Sequence, residues 1–249
     1  GDISLQVGVS VTGNGGSVNM KAGNSFESTG GSIVARTGSS EAGSSGSISM
    51  ITGQASQSGK VSIQTGSSLE KSGEISMTTG ASLINGGGIS MTVGDAEGIG
   101  GTISLTAGLS NTLTGGSILM SSGSSAEKSS GNIRIATGNS PAQQSSGSLN
   151  FATGNGIVSS GDLFVHSGDS PTGNAGSVYI QGGATEEGVG SKIDIVAGYS
   201  TQSTGGSVLL RSGAGMQSDS GGVKIATNDA GAAGSSGSVQ ISTGTSSNG

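Results

Sequence analysis

Few side chains in this sequence could carry acid–base or metal chemistry, and they do not converge. His166 is the only histidine among the 249 residues, and no second histidine can join it as a metal ligand. Glu186 and Glu187 are neighbours in the chain, whereas glycoside hydrolysis needs two opposed carboxylates across a groove. The absence of cysteine excludes disulfides and thiolate metal sites. We therefore predict no catalytic site, no metal site and no cofactor, and hence no enzyme.

Threonines offer a different chemistry, the binding of an ordered surface. Thr78, Thr92 and Thr106 occupy the same outward position in three consecutive repeats, and Ser121 ends the column. Some antifreeze proteins resemble this chain in having coils of about 15 residues, and they present a flat Thr-x-Thr array. This column makes ice binding an alternative function.

An eight-residue pattern positions all of these residues: Gly, polar, apolar, any, apolar, any, small, Gly. We call these eight residues the repeat segment, and the residues before the next segment the connecting loop. The spacing between segments runs from 13 to 16 residues, most often 15, and all the variation lies in the loops. Both prolines, Pro141 and Pro171, also lie in loops. The seventeen segments begin at Gly1, Gly16, Gly31, Gly46, Gly59, Gly73, Gly87, Gly101, Gly116, Gly131, Gly147, Gly161, Gly176, Ser191, Gly206, Gly221 and Gly237.

Apolar residues alternate along every repeat segment. Positions three and five are apolar in all seventeen segments, as at Ile103 and Leu105, and position seven is small, as at Ala107. Side chains two residues apart share one face of a β-strand, so this pattern predicts strands with one inward face. A helix is disfavoured by the alternation and by the glycine content.

The ends of each segment suggest its turn geometry. Position eight is glycine in sixteen segments and Asn228 in the other, and these residue types most easily adopt positive φ. We therefore expect a left-handed bend after each strand. Two residues further on, serine recurs, as at Ser10, Ser25 and Ser40, and we expect it to point inward as a stacked ladder.

Together these features predict an all-β fold, a parallel β-solenoid of about 17 coils with mostly 15 residues per coil. Residues 1–249 then form a single continuous repeat domain. Because the chain opens on Gly1 at the first position of a segment, we interpret it as a segment of a longer array.

Charge and composition limit the partners. The net charge is −6, charged residues make up 10 % of the chain, and no basic patch or tryptophan suits nucleic acid. No apolar run approaches the roughly 20 residues of a membrane span, so we predict no membrane insertion. The remaining partner is the chain itself, head to tail or laterally. Outward apolar residues that could form a lateral contact are Phe164, Tyr179, Val196 and Leu209.

The repeat resembles long Gly/Ser-rich arrays in extracellular proteins of microalgae and related protists, through units such as residues 147–154, GSLNFATG. The resemblance implies an extracellular or cell-surface structural role and carries over no functional residues. We expect a fibre, filament or surface-sheath protein, with an ice-binding or other surface-adhesive protein as the alternative. The chain has no Asn-x-Ser/Thr sequon, whereas its hydroxyl-rich loops offer acceptors for O-glycans.

Overall fold

The computed structural model describes residues 1–140 and 144–246, and those residues form no α-helix and no β-strand. The backbone consists of irregular segments separated by one bend per repeat, and the bends fall in the connecting loops that the sequence predicts. Pro171 begins one of these bends, whereas Pro141 lies outside the described residues. The bends lie at 11–13, 26–28, 41–43, 56–57, 69–70, 83–84, 97–99, 111–113, 126–128, 144, 157–158, 171–173, 186–188, 201–203, 216–218 and 234.

The prediction of an all-β parallel β-solenoid is therefore wrong. No described residue is buried, and the predicted core residue Ile103 keeps 51 % of its surface exposed. The accessible surface is 25524 Å². A compact folded protein of this mass would expose about 9,800 Å², and a fully unfolded chain about 34,000 Å².

The physical reason lies in the composition of each repeat. A coil offers only two large apolar side chains, while glycine and serine lose much backbone freedom on ordering. Parallel pairing also brings together residues about 15 positions apart, so loop-closure entropy opposes every rung. In this structure the burial of apolar side chains does not offset these entropic costs, and the repeat segments remain unpaired.

A trace of the predicted alternation survives in the exposure of side chains. Val178, at position three of its segment, is 50 % exposed, whereas its neighbour Tyr179 at position four is 88 % exposed. Lys192 and Asp194, two residues apart, form an ion pair and so lie on one side of their segment. The pattern thus orients side chains without assembling a core.

The left-handed bend predicted at position eight is also wrong. Among the described residues, neither glycine nor any other residue type has positive φ. Asn228 accordingly occupies an ordinary backbone conformation that does not require glycine. The chain reverses instead within the loop, over several residues with negative φ.

The predicted inward serine ladder is replaced by local hydrogen bonds. Ser40 is exposed, and its Oγ accepts a hydrogen bond of 2.9 Å from the backbone N–H of Gly43, three residues on. Ser10 and Ser25 accept equivalent bonds from Gly13 and Ser28. A serine hydroxyl that bonds a nearby N–H stabilises a turn and competes with regular structure. These serines therefore shape the bends.

The chain divides into two units, Gly1–Met120 and Ser121–Gly249. In the first unit, hydrogen bonds of one register close the loops that end at Gly31, Gly46 and Gly116. In the second unit, the same register closes the loops that end at Gly131, Ser191, Gly206 and Gly221. The single continuous domain stays a prediction.

Candidate functional site

We call the place where the two ends of a connecting loop meet its neck, and such necks recur along the chain. At seven necks of the described chain, the N–H at position one of a segment donates to the carbonyl eight residues earlier, at position eight of the preceding segment. The donor–acceptor distance is 2.9 Å from Gly31 to Gly23 and 2.8 Å from Gly206 to Gly198. A loop whose ends meet in this way resembles an Ω-loop.

Two of the shorter loops close through side chains. The hydroxyls of Thr52 and Ser58 lie 2.8 Å apart across one neck. The Thr79 hydroxyl donates to the carbonyl of Gly87 at 3.4 Å across another. In these two loops, position seven supplies the closing hydroxyl.

Position seven is also the most protected place in the repeat. Among the described residues, every half-buried residue except Ser110 lies at position seven, for example Ala107 and Ala197. Each faces the position-one residue of the following segment. A Cβ added to Gly116 would lie 3.3 Å from the Cβ of Ala107 and 3.1 Å from the N of Gly108. At necks as close as this one, a side chain at position one is disfavoured.

One repeat shows this constraint in reverse. Ser191 is the only position-one residue that is not glycine, and Gly182, which faces it, is the only glycine at position seven. A Cβ added to Gly182 would collide with the Ser191 Oγ. That hydroxyl donates to the carbonyl of Gly183 at 2.9 Å. In this repeat the glycine is at position seven and the side chain is at position one, so this neck again contains a single side chain. Sequence reasoning missed this pairing, although the matched exceptions were its signal.

The four residues predicted as a lateral contact all lie exposed in the second unit. Phe164 is 78 % exposed, Val196 86 % and Leu209 69 %. With Tyr179, they occupy positions four and six of their segments. None is covered by the other three, so their apolar surface remains open to a partner.

The threonine column lies in the first unit. Thr78, Thr92 and Thr106 are all exposed. The Thr92 hydroxyl lies 3.4 Å from that of Ser90, two residues earlier. Among the described residues, no hydrogen bond joins a threonine of the column to another repeat.

The acid–base candidates stay apart. His166 is exposed, and its Nδ1 is 3.1 Å from the carbonyl oxygen of the adjoining Ser167. Glu186 and Glu187 lie exposed in a bend that Thr185 stabilises by accepting a 3.1 Å hydrogen bond from the Gly188 N–H. In the described part of the chain there is no pocket and no group of three residues arranged to hold a metal ion.

Comparison with protein-family models, with curated proteins and with solved structures finds no match for this chain. Over residues 1–140 and 144–246, no helix long and apolar enough to span a membrane is found.

Proposed function

We propose that this chain is a structural, non-enzymatic protein of an extracellular fibre, filament or surface sheath. It acts by associating with further copies of itself. The repeat supplies identical binding surfaces at regular spacing, and the hydroxyl-rich loops stay available for solvent or for O-glycans. No chemical step is assigned to any residue.

The observation that carries this proposal is the exposure of apolar side chains at the same positions of every repeat. At position three, Ile133 is 55 % exposed and Ile193 50 % exposed in a single copy. Monomeric soluble proteins rarely leave large contiguous apolar surface open, and such surface marks interaction sites. A partner built from the same repeat would cover it periodically.

Association should depend on concentration, and sedimentation velocity measures it directly. We expect the chain to form larger species as its concentration rises. A chain that stays monomeric at all accessible concentrations would overturn the proposed function.

A matched pair of variants then locates the contact. In the first variant, serine replaces Phe164, Tyr179, Val196 and Leu209. In the control variant, serine replaces four exposed apolar loop residues of the same unit, Ile157, Val158, Val189 and Tyr199, which are 91–106 % exposed. We expect the first variant to weaken association about tenfold, because contact energy concentrates in aromatic and large apolar residues. Since the control residues lie in connecting loops, equal weakening by both variants would show that loop residues contribute as much to the contact as these four.

The alternative function is binding to ice or to another ordered surface. The exposure of Thr78, Thr92 and Thr106 favours it, whereas the lack of a strand ladder to hold them flat weighs against it. For a fibre protein we expect no thermal hysteresis in a freezing-point measurement. Hysteresis that disappears when these threonines are replaced by valine would establish the alternative.

A further inference from the structure

The charged residues of this chain are sorted between its two parts. Eleven of the fifteen acidic residues lie in connecting loops, whereas seven of the nine basic residues lie in repeat segments. The loops therefore carry a net charge of −9 and the segments a net charge of +3. The basic residues of the segments all occupy position two, four or six, which alternate with the apolar residues at positions three and five.

In the described part of the chain, no ion pair joins a connecting loop to a repeat segment. Among the described residues, the only ion pair joins Lys192 to Asp194 inside a single segment, and both side chains are exposed. The loop acids are exposed as well, as at Glu127 and Glu186. Six segment cations remain without an ionic partner: Lys21, Arg36, Lys60, Arg134, Arg211 and Lys224.

We propose that the acidic connecting loops of one copy bind the basic residues of the repeat segments of a second copy. This inference rests on the proposed self-association and names the surface that mediates it. Charge complementarity identifies the partner, because loops and segments alternate along the same chain and carry opposite net charge.

Many weak contacts make up this interface. A single ion pair between exposed side chains contributes little, so one loop cannot hold a partner. Repetition along the chain turns each further contact into an intramolecular event with a high effective concentration. Phe164 and Tyr179 also occupy position four of their segments, and the docked loops of the partner would cover them.

The test compares three chains that share the wild-type net charge of −6. In the neutralised chain, glutamine replaces the six segment cations named above and six loop glutamates: Glu27, Glu41, Glu70, Glu127, Glu186 and Glu187. Its loops and its segments then carry −3 each. In the swapped chain, the same cations become glutamate and the same glutamates become lysine. Its loops then carry +3 and its segments −9, so complementarity is kept with reversed sign.

We expect the swapped chain to associate as the wild type does, and the neutralised chain to associate at least about tenfold more weakly. Raising the salt concentration from 0.05 to 0.5 M should weaken the association of the wild type and of the swapped chain, because salt screens exposed charges. It should hardly affect the association of the neutralised chain. Equal association of all three chains, or no effect of salt on the wild type, would overturn the inference. A wild type that does not associate at all would overturn the proposed function instead. Since every substituted side chain is exposed, amide exchange at the loop necks checks that the local structure is intact.

Discussion

At the scale of single residues, glycine occurs at position one and at position eight of the repeat segment for different physical reasons. At position one, a Cβ on Gly46 would lie 3.3 Å from the Cβ of Thr37, and one on Gly101 would lie 2.6 Å from Val93 Cγ1. At position eight, a Cβ on Gly38 would have no atom within 4 Å. At such necks the close approach disfavours a side chain at position one, whereas neither space nor φ requires glycine at position eight. Asn228 at position eight is consistent with this difference.

The exchanged pair Gly182 and Ser191 gives a prediction at this scale. Gly182→Thr should open the neck, because overpacking forces neighbouring atoms apart. We expect amide exchange at residue 191 to become about two- to tenfold faster, as the loss of one hydrogen bond implies. Nuclear magnetic resonance measures this rate residue by residue.

Two further variants control this experiment. The double variant Gly182→Thr with Ser191→Gly restores the usual arrangement and should regain slow exchange at residue 191. Gly183→Ala adds a Cβ where no atom lies within 4 Å and should change little. A double variant that exchanges as fast as Gly182→Thr would show that the two positions are independent.

At the scale of elements, loop necks form and strands do not because pairing whole repeats orders many more residues than closing one loop does. A loop neck joins residues only eight positions apart, and the serine bonds that shape the bend span three. Closing such short loops costs little entropy compared with aligning whole repeats. Each connecting loop is thus a local structure, while the repeat segments between loops have no partner.

Amide exchange should report this difference directly. We expect the N–H groups of Gly31, Gly116 and Gly206, which close loops, to exchange about two- to tenfold more slowly than free amides. The amides of Ile33 and Val208, inside repeat segments, should exchange at the rate of an unstructured peptide. The measurement is made below the concentration at which copies associate. Strong protection at position three of every segment would indicate paired strands and contradict the structure.

At the scale of the whole molecule, a single copy leaves its interactions incomplete. No described residue is buried, and 25524 Å² of surface is accessible to solvent. Opposite charges lie on separate parts of the repeat, with one ion pair among the described residues. A second copy could supply both the apolar cover and the counter-charges, which is why the proposed function and the loop–segment contact belong together. The swapped and neutralised chains test this idea on the full-length protein.

The sequence by itself determined the length of the repeat and the place of the bends in the described loops. These features follow from local pattern, because glycine, serine and alternating apolar residues act over a few neighbouring positions. Only the tertiary structure decided whether successive repeats pair. Pairing depends on a balance between the apolar burial that each repeat gains and the chain entropy that it loses, and a pattern of residue types does not fix that balance. The same holds for position eight, where Asn228 and the glycines fitted a left-handed bend by residue type alone. The backbone instead reverses inside the loop through serine hydroxyls and a closed neck.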